Sequence, residues 1–287
     1  SFAKAVKSNT RAFYAESLGN PKLDVLDLKA ISEIAKKAKV PFIVDNTVAS
    51  PALLNPIEHG ANIVIHSLTK YLTGNGTSIG GVIIDAGTFD WGNGNFPEFT
   101  EPNPSYHGLN YHEALGNIAF IAKARVEGLR DFGSAPSPFN SFQTIQGIET
   151  LDIRMKKHSE NALKLAAWLS NRAEVAWVNY PGLKTSKYNS LAKQYLSKGQ
   201  SGILTFGLKK GFEAGKKVAD HTKLFSLLAN FGDSKSLIIH PSSTTHQQLD
   251  EEVQKTTGVT KDLIRLSVGL EDVNDLIADL KAAFAEI

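Results

Sequence analysis

The sequence predicts an α/β fold built around a mainly parallel sheet, and three observations carry that reading. Short apolar runs at residues 42–44 and 63–65 have the length of buried strands. A helical apolar stripe lies between strand-like runs, and this strand–helix–strand rhythm argues for parallel pairing. Polar residues follow the apolar runs at Asn20, Asp45 and Ser67, where ligands gather at the carboxyl ends of parallel strands.

In chain order, residues 11–18 read as a strand stopped by the turn Gly19-Asn20-Pro21. Asp27 is placed to cap a helix through Lys39, whose buried stripe is Leu28, Ile31, Ile34, Ala35 and Ala38. Pro41 precedes the strand that delivers Asp45. The next strand delivers Ser67, Thr69 and Lys70, followed by a loop containing Gly74, Gly76, Gly80 and Gly81. Residues 81–85 form one further strand, and a long connection rich in Gly, Pro and Asn runs through Tyr106. The run GSAPSP at 133–138 marks a domain boundary, giving units 1–134 and 135–287. Residues 139–172 read as long helical structure broken near Gly147. Strands at 202–208, 236–240 and 263–268 then alternate with helices, which makes the second unit a smaller α/β domain. Its last helix is marked by the apolar period of Val273, Leu276, Ile277, Leu280, Ala283, Phe284 and Ile287.

Composition narrows the function class. The chain has 287 residues, 42% apolar and 21% charged, enough for a large core and close to the globular norm. A net charge of +2 is too small to point to nucleic acid or a membrane surface. With no cysteine there is no disulfide, zinc–thiolate site or cysteine nucleophile. No apolar run has the length of a membrane span, and no signal-like segment opens the chain, so a cytoplasmic location is expected.

The stretch from Phe42 to Gly81 carries the chemistry. An aldehyde cofactor such as pyridoxal phosphate needs an amine, donors for its phosphate, an anion beside its pyridine nitrogen and backbone that approaches closely. Lys70 supplies the amine, Ser67 and Thr69 the hydroxyls, Asp45 the anion and the glycines the close approach. Each has a plainer reading: a lysine after a strand is usually solvated, and a strand-end aspartate often caps a helix. Their order in one segment favours the cofactor site. Arg265, alone among apolar residues in LIRLSV, needs either an internal acid or a ligand carboxylate. The histidines and tyrosines of YHGLNYH (106–112) lack metal-ligand spacing, so no metal is expected there. GTSIGG lacks the position and spacing of a dinucleotide loop.

VDNTVASP, SLTKY and GGVIIDAG resemble the Cys/Met-metabolism enzymes that use pyridoxal phosphate, and the likeness runs from ESLGNP (16–21) through HPSSTTH (240–246) to IRLSVGLED (264–272). That resemblance implies the fold type I of pyridoxal phosphate-dependent transferases. The segment at 89–116 favours the O-acetylhomoserine sulfhydrylase branch over the lyases. It implies that Arg265 and Ser236 hold the substrate's α-carboxylate and that Asn20 lies near the ring's phenolic oxygen. By pattern alone Ser236 is an ordinary loop hydroxyl and Asn20 a turn residue before proline.

The resemblance also implies active sites shared between subunits of a homo-oligomer, commonly a dimer of dimers. The chain starts at Ser1 and its single methionine is Met155, so residues upstream are expected. In similar enzymes those residues hold a phosphate loop, a ring-stacking aromatic and groups reaching the partner subunit. The implied reaction takes an amino-acid substrate, an acyl homoserine, and a sulfide or thiol. The Lys70 amine acts as the proton-transfer group. The alternatives are a γ- or β-lyase of sulfur amino acids, or a subunit fragment whose role is assembly alone.

Overall fold

The computed structural model describes residues 2–287; Ser1 lies outside them. Strands β1 (Phe13–Glu16), β2 (Phe42–Asp45) and β3 (Ile63–Ser67) pair in parallel, and β4 (Gly81–Asp85) joins β3 antiparallel, in the order β1-β2-β3-β4. The crossover from β1 to β2 is helix α1 (Leu28–Ala38). Asp27 caps it by accepting the Ala30 N–H, and Lys39, at φ 54°, ends it in a left-handed turn. Leu28 and Ala35 of α1 are buried in one core with Phe13, Phe42, Val44 and Val64.

Because side chains alternate across a strand, residues in register with Val44 and Val64 face that core, whereas Asp45, Ile65 and Ser67 face the other way. On this second face Ile43, Ile63 and Ile65 pack with Trp91, Phe96, Phe99 and Tyr111. The first three aromatics come from the long connection and Tyr111 follows it, in a region that folds into short helical pieces, among them Pro97–Thr100, Tyr111–Leu115 and Ala119–Lys123. Ile65 stands in register with Asp45, so apolar packing reaches the level of that carboxylate, and Ser67 follows two residues beyond Ile65.

Two long helices follow, α2 (Pro138–Glu149) and α3 (Leu151–Leu169), with Ser137 capping α2 through the Asn140 N–H. The helical break falls at Thr150, not near Gly147, which lies inside α2. Gly147 is there for close approach, since a Cβ would overlap the carbonyls of Leu72 and Thr73. A glycine in a helical pattern is ambiguous between a break and a contact, and here the contact decides.

The second sheet has the order β5-β6-β9-β8-β7, comprising β5 (Val175–Asn179), β6 (Ile203–Leu208), β7 (Ser226–Leu227), β8 (Leu237–Ile239) and β9 (Leu263–Ser267). All its pairs are antiparallel except β7 with β8. Strands β5 and β7 were not expected from the sequence. β5 mixes buried and half-buried positions, and β7 has only 2 residues. Helices α4 (Gly211–His221) and α5 (Val273–Phe284) pack with α3 on this sheet, burying Leu165, Val218, Leu276 and Leu280 against Phe206 and Ile264. Helix α3 serves both cores, with Leu151 and Met155 in the first and Leu165 and Leu169 in the second. No described helix is long and apolar enough to cross a membrane.

Candidate active site

The end of β3 opens into a wide helical turn, Leu68–Leu72, in which Lys70 departs from helical geometry at φ −96° and ψ −133°. Three anchors hold the turn. The Tyr71 ring is fully buried and its hydroxyl accepts the Gly202 N–H at 3.1 Å. Arg154 of α3 donates to the carbonyls of Tyr71 at 2.8 Å and Gly147 at 2.7 Å. Thr73 meets Thr144 of α2 at 3.0 Å. Gly232, at φ +78°, lets the facing loop come against the Tyr71 backbone, where a Cβ would be 2.6 Å from the amide nitrogen.

The Lys70 amine donates to the side-chain oxygen of Asn230 and lies 4.9 Å from the Phe231 ring centre. Burial holds its pKa below the usual lysine range, and the nearby Arg265 charge pushes the same way. Arg265 projects from the middle of β9. It donates to the Asn230 carbonyl at 2.8 Å and to the Asn20 side-chain oxygen at 3.2 Å. Its Nε is buried without a hydrogen-bond partner, and burial pulls the guanidinium down to about 10. Among the described residues it joins no ion pair, so the internal-acid reading of this arginine is not met. Two partly desolvated cations therefore share one asparagine and one phenyl ring, and among the described residues no carboxylate is bonded to either. Such an arrangement favours an anion.

Asp45 and Ser67 emerge at the same end of the first sheet. One Asp45 oxygen accepts the Thr47 N–H at 2.9 Å and the other accepts the Tyr14 hydroxyl at 3.1 Å. Burial and the Asp45 charge push the Tyr14 phenol up to about 12. Glu16 accepts the Asn20 N–H at 3.0 Å; burial raises its carboxyl, the Asn20 hydrogen bond opposes this, and Asp45 adds to the rise. The Ser67 amide is fixed by the Thr47 hydroxyl at 2.8 Å, and the Thr69 hydroxyl accepts the Gly80 N–H at 3.2 Å. Among the described residues Asp45 joins no ion pair.

Asn230 joins Lys70 to Arg265, and Arg265 in turn bonds Asn20, while Asp45 and Ser67 stand at the ends of β2 and β3 and Thr69 just beyond. Ser236 is not brought to this group. Its side chain is fully buried and donates to Glu271 at 2.8 Å, and it accepts the Gly269 N–H at 2.8 Å. A buried hydroxyl needs such partners, and these tie its loop to the turn after β9. Sequence reading missed Asn230, Phe231, Tyr14, Glu16 and Arg154. A signal existed for two of them: Glu16 stands in register with Asp45, and Asn230 is a polar residue just before the Gly232-Asp233 turn. His240 is engaged by Ser243 and the Lys261 carbonyl, and no metal-holding cluster of His, Asp and Glu occurs among the described residues.

Residues 1–285 match the Cys/Met metabolism PLP-dependent enzyme family. The chain is 57% identical over its whole length to an O-acetyl-L-homoserine sulfhydrylase of Leptospira meyeri, covering 67% of that protein. It is 48% identical over 98% of its length to a homocysteine synthase of Schizosaccharomyces pombe, covering 66% of it. The chain thus spans about two thirds of the length of these curated relatives. A crystal structure of a putative O-acetylhomoserine (thiol)-lyase from Campylobacter jejuni, containing an N′-pyridoxyl-lysine-5′-monophosphate, superposes with a TM-score of 0.95 at 45% identity. The superposition covers 99% of this chain and 68% of that one. The fold, the half-buried lysine just past a strand end and the family match agree, and the chain belongs to the Cys/Met metabolism PLP-dependent enzyme family.

Proposed function

We propose that this chain carries out γ-replacement on O-acetyl-L-homoserine, with sulfide or a thiol displacing acetate to give homocysteine or methionine. The observation that carries this reading is the pair of desolvated cations, Lys70 and Arg265, facing one cleft without a carboxylate between them. The names of the relatives supply the substrate class.

Lys70 is the residue that would hold pyridoxal phosphate covalently. Ser67 and Thr69 would donate to its phosphate, Asp45 would face its ring nitrogen and Asn20 its phenolic oxygen. Bound there, the cofactor supplies an aldehyde carbon and a ring that accepts electron density from the substrate's Cα. The chain's own residues do the rest. Arg265 grips the α-carboxylate, for which its unpartnered Nε is available. Lys70 Nζ, its pKa lowered by burial, takes the proton from Cα and then moves a proton at Cβ so that acetate leaves Cγ. Sulfide or thiol adds at that carbon. In this reading residues 1–134 form the cofactor domain and residues 135–287 the C-terminal domain. The protein is cytoplasmic and works as a homo-oligomer, a dimer of dimers.

Incubation with O-acetyl-L-homoserine and sulfide tests the reading. Acetate and homocysteine should appear in equal amounts. Ammonia and a keto acid in their place would mean a lyase. Absence of any visible absorbance after addition of pyridoxal phosphate would mean a chain that assembles without chemistry.

A further inference from the structure

Asn230 hydrogen-bonds both Lys70 and Arg265, and it does so with two different groups. Its side-chain oxygen accepts from Lys70 Nζ, and its backbone carbonyl accepts from Arg265 at 2.8 Å. Phe231, next in the chain, lies against both, 4.9 Å from Lys70 Nζ and 5.9 Å from the Arg265 guanidinium carbon. The loop itself is anchored independently of the cleft. Asn230 N–H donates to the Leu228 carbonyl at 3.0 Å, Gly232 N–H to Ser267 at 2.9 Å and Ser234 N–H to the Gly74 carbonyl at 2.8 Å. The backbone at 230 is therefore held by its neighbours, and the side chain is free to serve the amine.

A neutral acceptor is the appropriate partner here. A carboxylate at this position would pair with both cations, hold Lys70 as an ammonium and compete with an incoming substrate carboxylate. A purely apolar side chain would leave the half-buried amine without a bond. An amide oxygen orients the amine while leaving its proton free to move.

We propose that Asn230 is a positioning residue with divided duties: its side chain sets where the Lys70 amine rests, and its backbone carbonyl sets the plane of Arg265. This rests on the assignment of Lys70 and Arg265 given above. The division has a specific consequence, because substitution removes the side chain and leaves the carbonyl in place.

Two variants test it, Asn230→Ala and Asn230→Asp, the second keeping an oxygen in the same place. The first readout is the rate at which cofactor-free protein captures pyridoxal phosphate at Lys70, trapped by borohydride and located by peptide mass. The second is the split between kcat and KM for O-acetyl-L-homoserine. For Asn230→Ala, capture should slow about tenfold and kcat should fall roughly 10- to 50-fold, with KM within about twofold of the parent. For Asn230→Asp the carboxylate should hold the amine protonated, so the midpoint for capture should move to higher pH than in the parent, and an unmoved midpoint would overturn the neutral-acceptor role of the side chain. If the parent chain captures cofactor at Lys70 and the alanine variant does so equally fast with kcat unchanged, Asn230 has no such role. A rise in KM with kcat unchanged would overturn the division by assigning the side chain to the carboxylate clamp. If the parent chain captures none at Lys70, the function proposed above fails first.

Discussion

Lys70 and Arg265 face the same cleft and lean on the same loop, yet they are mounted differently. Arg265 projects from the middle of β9, flanked in register by Thr205 of β6 and Ile239 of β8. The pleat and two neighbouring strands fix its direction, which suits a clamp that must present one fork in one orientation. Lys70 lies beyond the end of β3 in a turn with irregular backbone, held through the carbonyls of its neighbours Tyr71 and Leu72, with its amine on the Asn230 side chain. That mounting fixes the root of the lysine by several bonds and its tip by one neutral acceptor, which suits the proton-carrying role proposed above. A clamp set in a strand and an amine tethered at the end of a turn are different solutions, and substitutions should separate them.

The largest effect should come from the amine. Lys70→Ala should remove the visible absorbance given by pyridoxal phosphate and lower turnover by at least about 1,000-fold. Turnover near the parent rate would show that the proton-carrying partner is some other residue. Arg265 should act on binding instead. Arg265→Lys keeps a charge but loses the planar fork, and KM for O-acetyl-L-homoserine should rise roughly 10- to 100-fold with a smaller change in kcat.

Arg265 also acts on Lys70 through its charge. Burial and then Arg265 hold the Lys70 pKa below the usual lysine value. Replacing Arg265 with methionine removes the second cause, so the midpoint for aldehyde capture by the free amine should move to higher pH. The sign for stability follows from the same shift. Between its lowered folded value and its ordinary unfolded value, Lys70 binds fewer protons folded than unfolded, so stability contributed by this group increases as pH rises through that window. A capture midpoint unmoved by Arg265→Met would mean that the two cations do not sense each other.

How much of this pair was legible in the sequence also divides along the comparison. Lys70 stands out in the sequence because the signal is local: strand, hydroxyls, lysine and glycines follow one another within residues 63–81. Asp45 was readable for the same reason, and the parallel rhythm that placed both residues at one sheet end is a period-and-turn signal. Arg265 was conspicuous as a charge in an apolar strand, but its neighbours were not. Asn20 and Asn230 stand 245 and 35 residues away from it in the chain, and nothing local announces that they converge. Ser236 was assigned to the substrate by resemblance, but only the fold reveals Glu271, its actual partner. Gly147 was read as a break because its role, contact with Leu72 and Thr73, is equally non-local.

The tether of Lys70 gives a further way to sharpen the contrast. Arg154 is half-buried, its charge is disfavoured by burial, and it spends its donors on carbonyls at 71, 72 and 147 rather than on an acid. Arg154→Met should take a charged donor from each of those carbonyls and cost roughly 2–4 kcal/mol of stability, read as a lower denaturant midpoint. Because the turn at 68–72 loosens, kcat should drop about tenfold while KM, set by the β9 clamp, stays within about twofold. A change in KM alone would mean that this turn and the clamp are one mechanical unit.

The smallest expected effect falls on Ser236, and it tests whether proximity in the chain to the cleft loop implies membership of the site. The hydroxyl lies six residues beyond Asn230, yet it faces Glu271 and the Gly269 amide in full burial. In Ser236→Ala the Glu271 carboxylate keeps the backbone N–H of residue 236 at 2.7 Å but loses the hydroxyl, and the Gly269 N–H loses its acceptor. Stability should therefore fall by about 1–2 kcal/mol, while KM for O-acetyl-L-homoserine changes less than about twofold. If KM rose tenfold or more at unchanged stability, the hydroxyl would belong to the carboxylate clamp after all. The rigid side of the cleft would then extend beyond β9 to the start of β8.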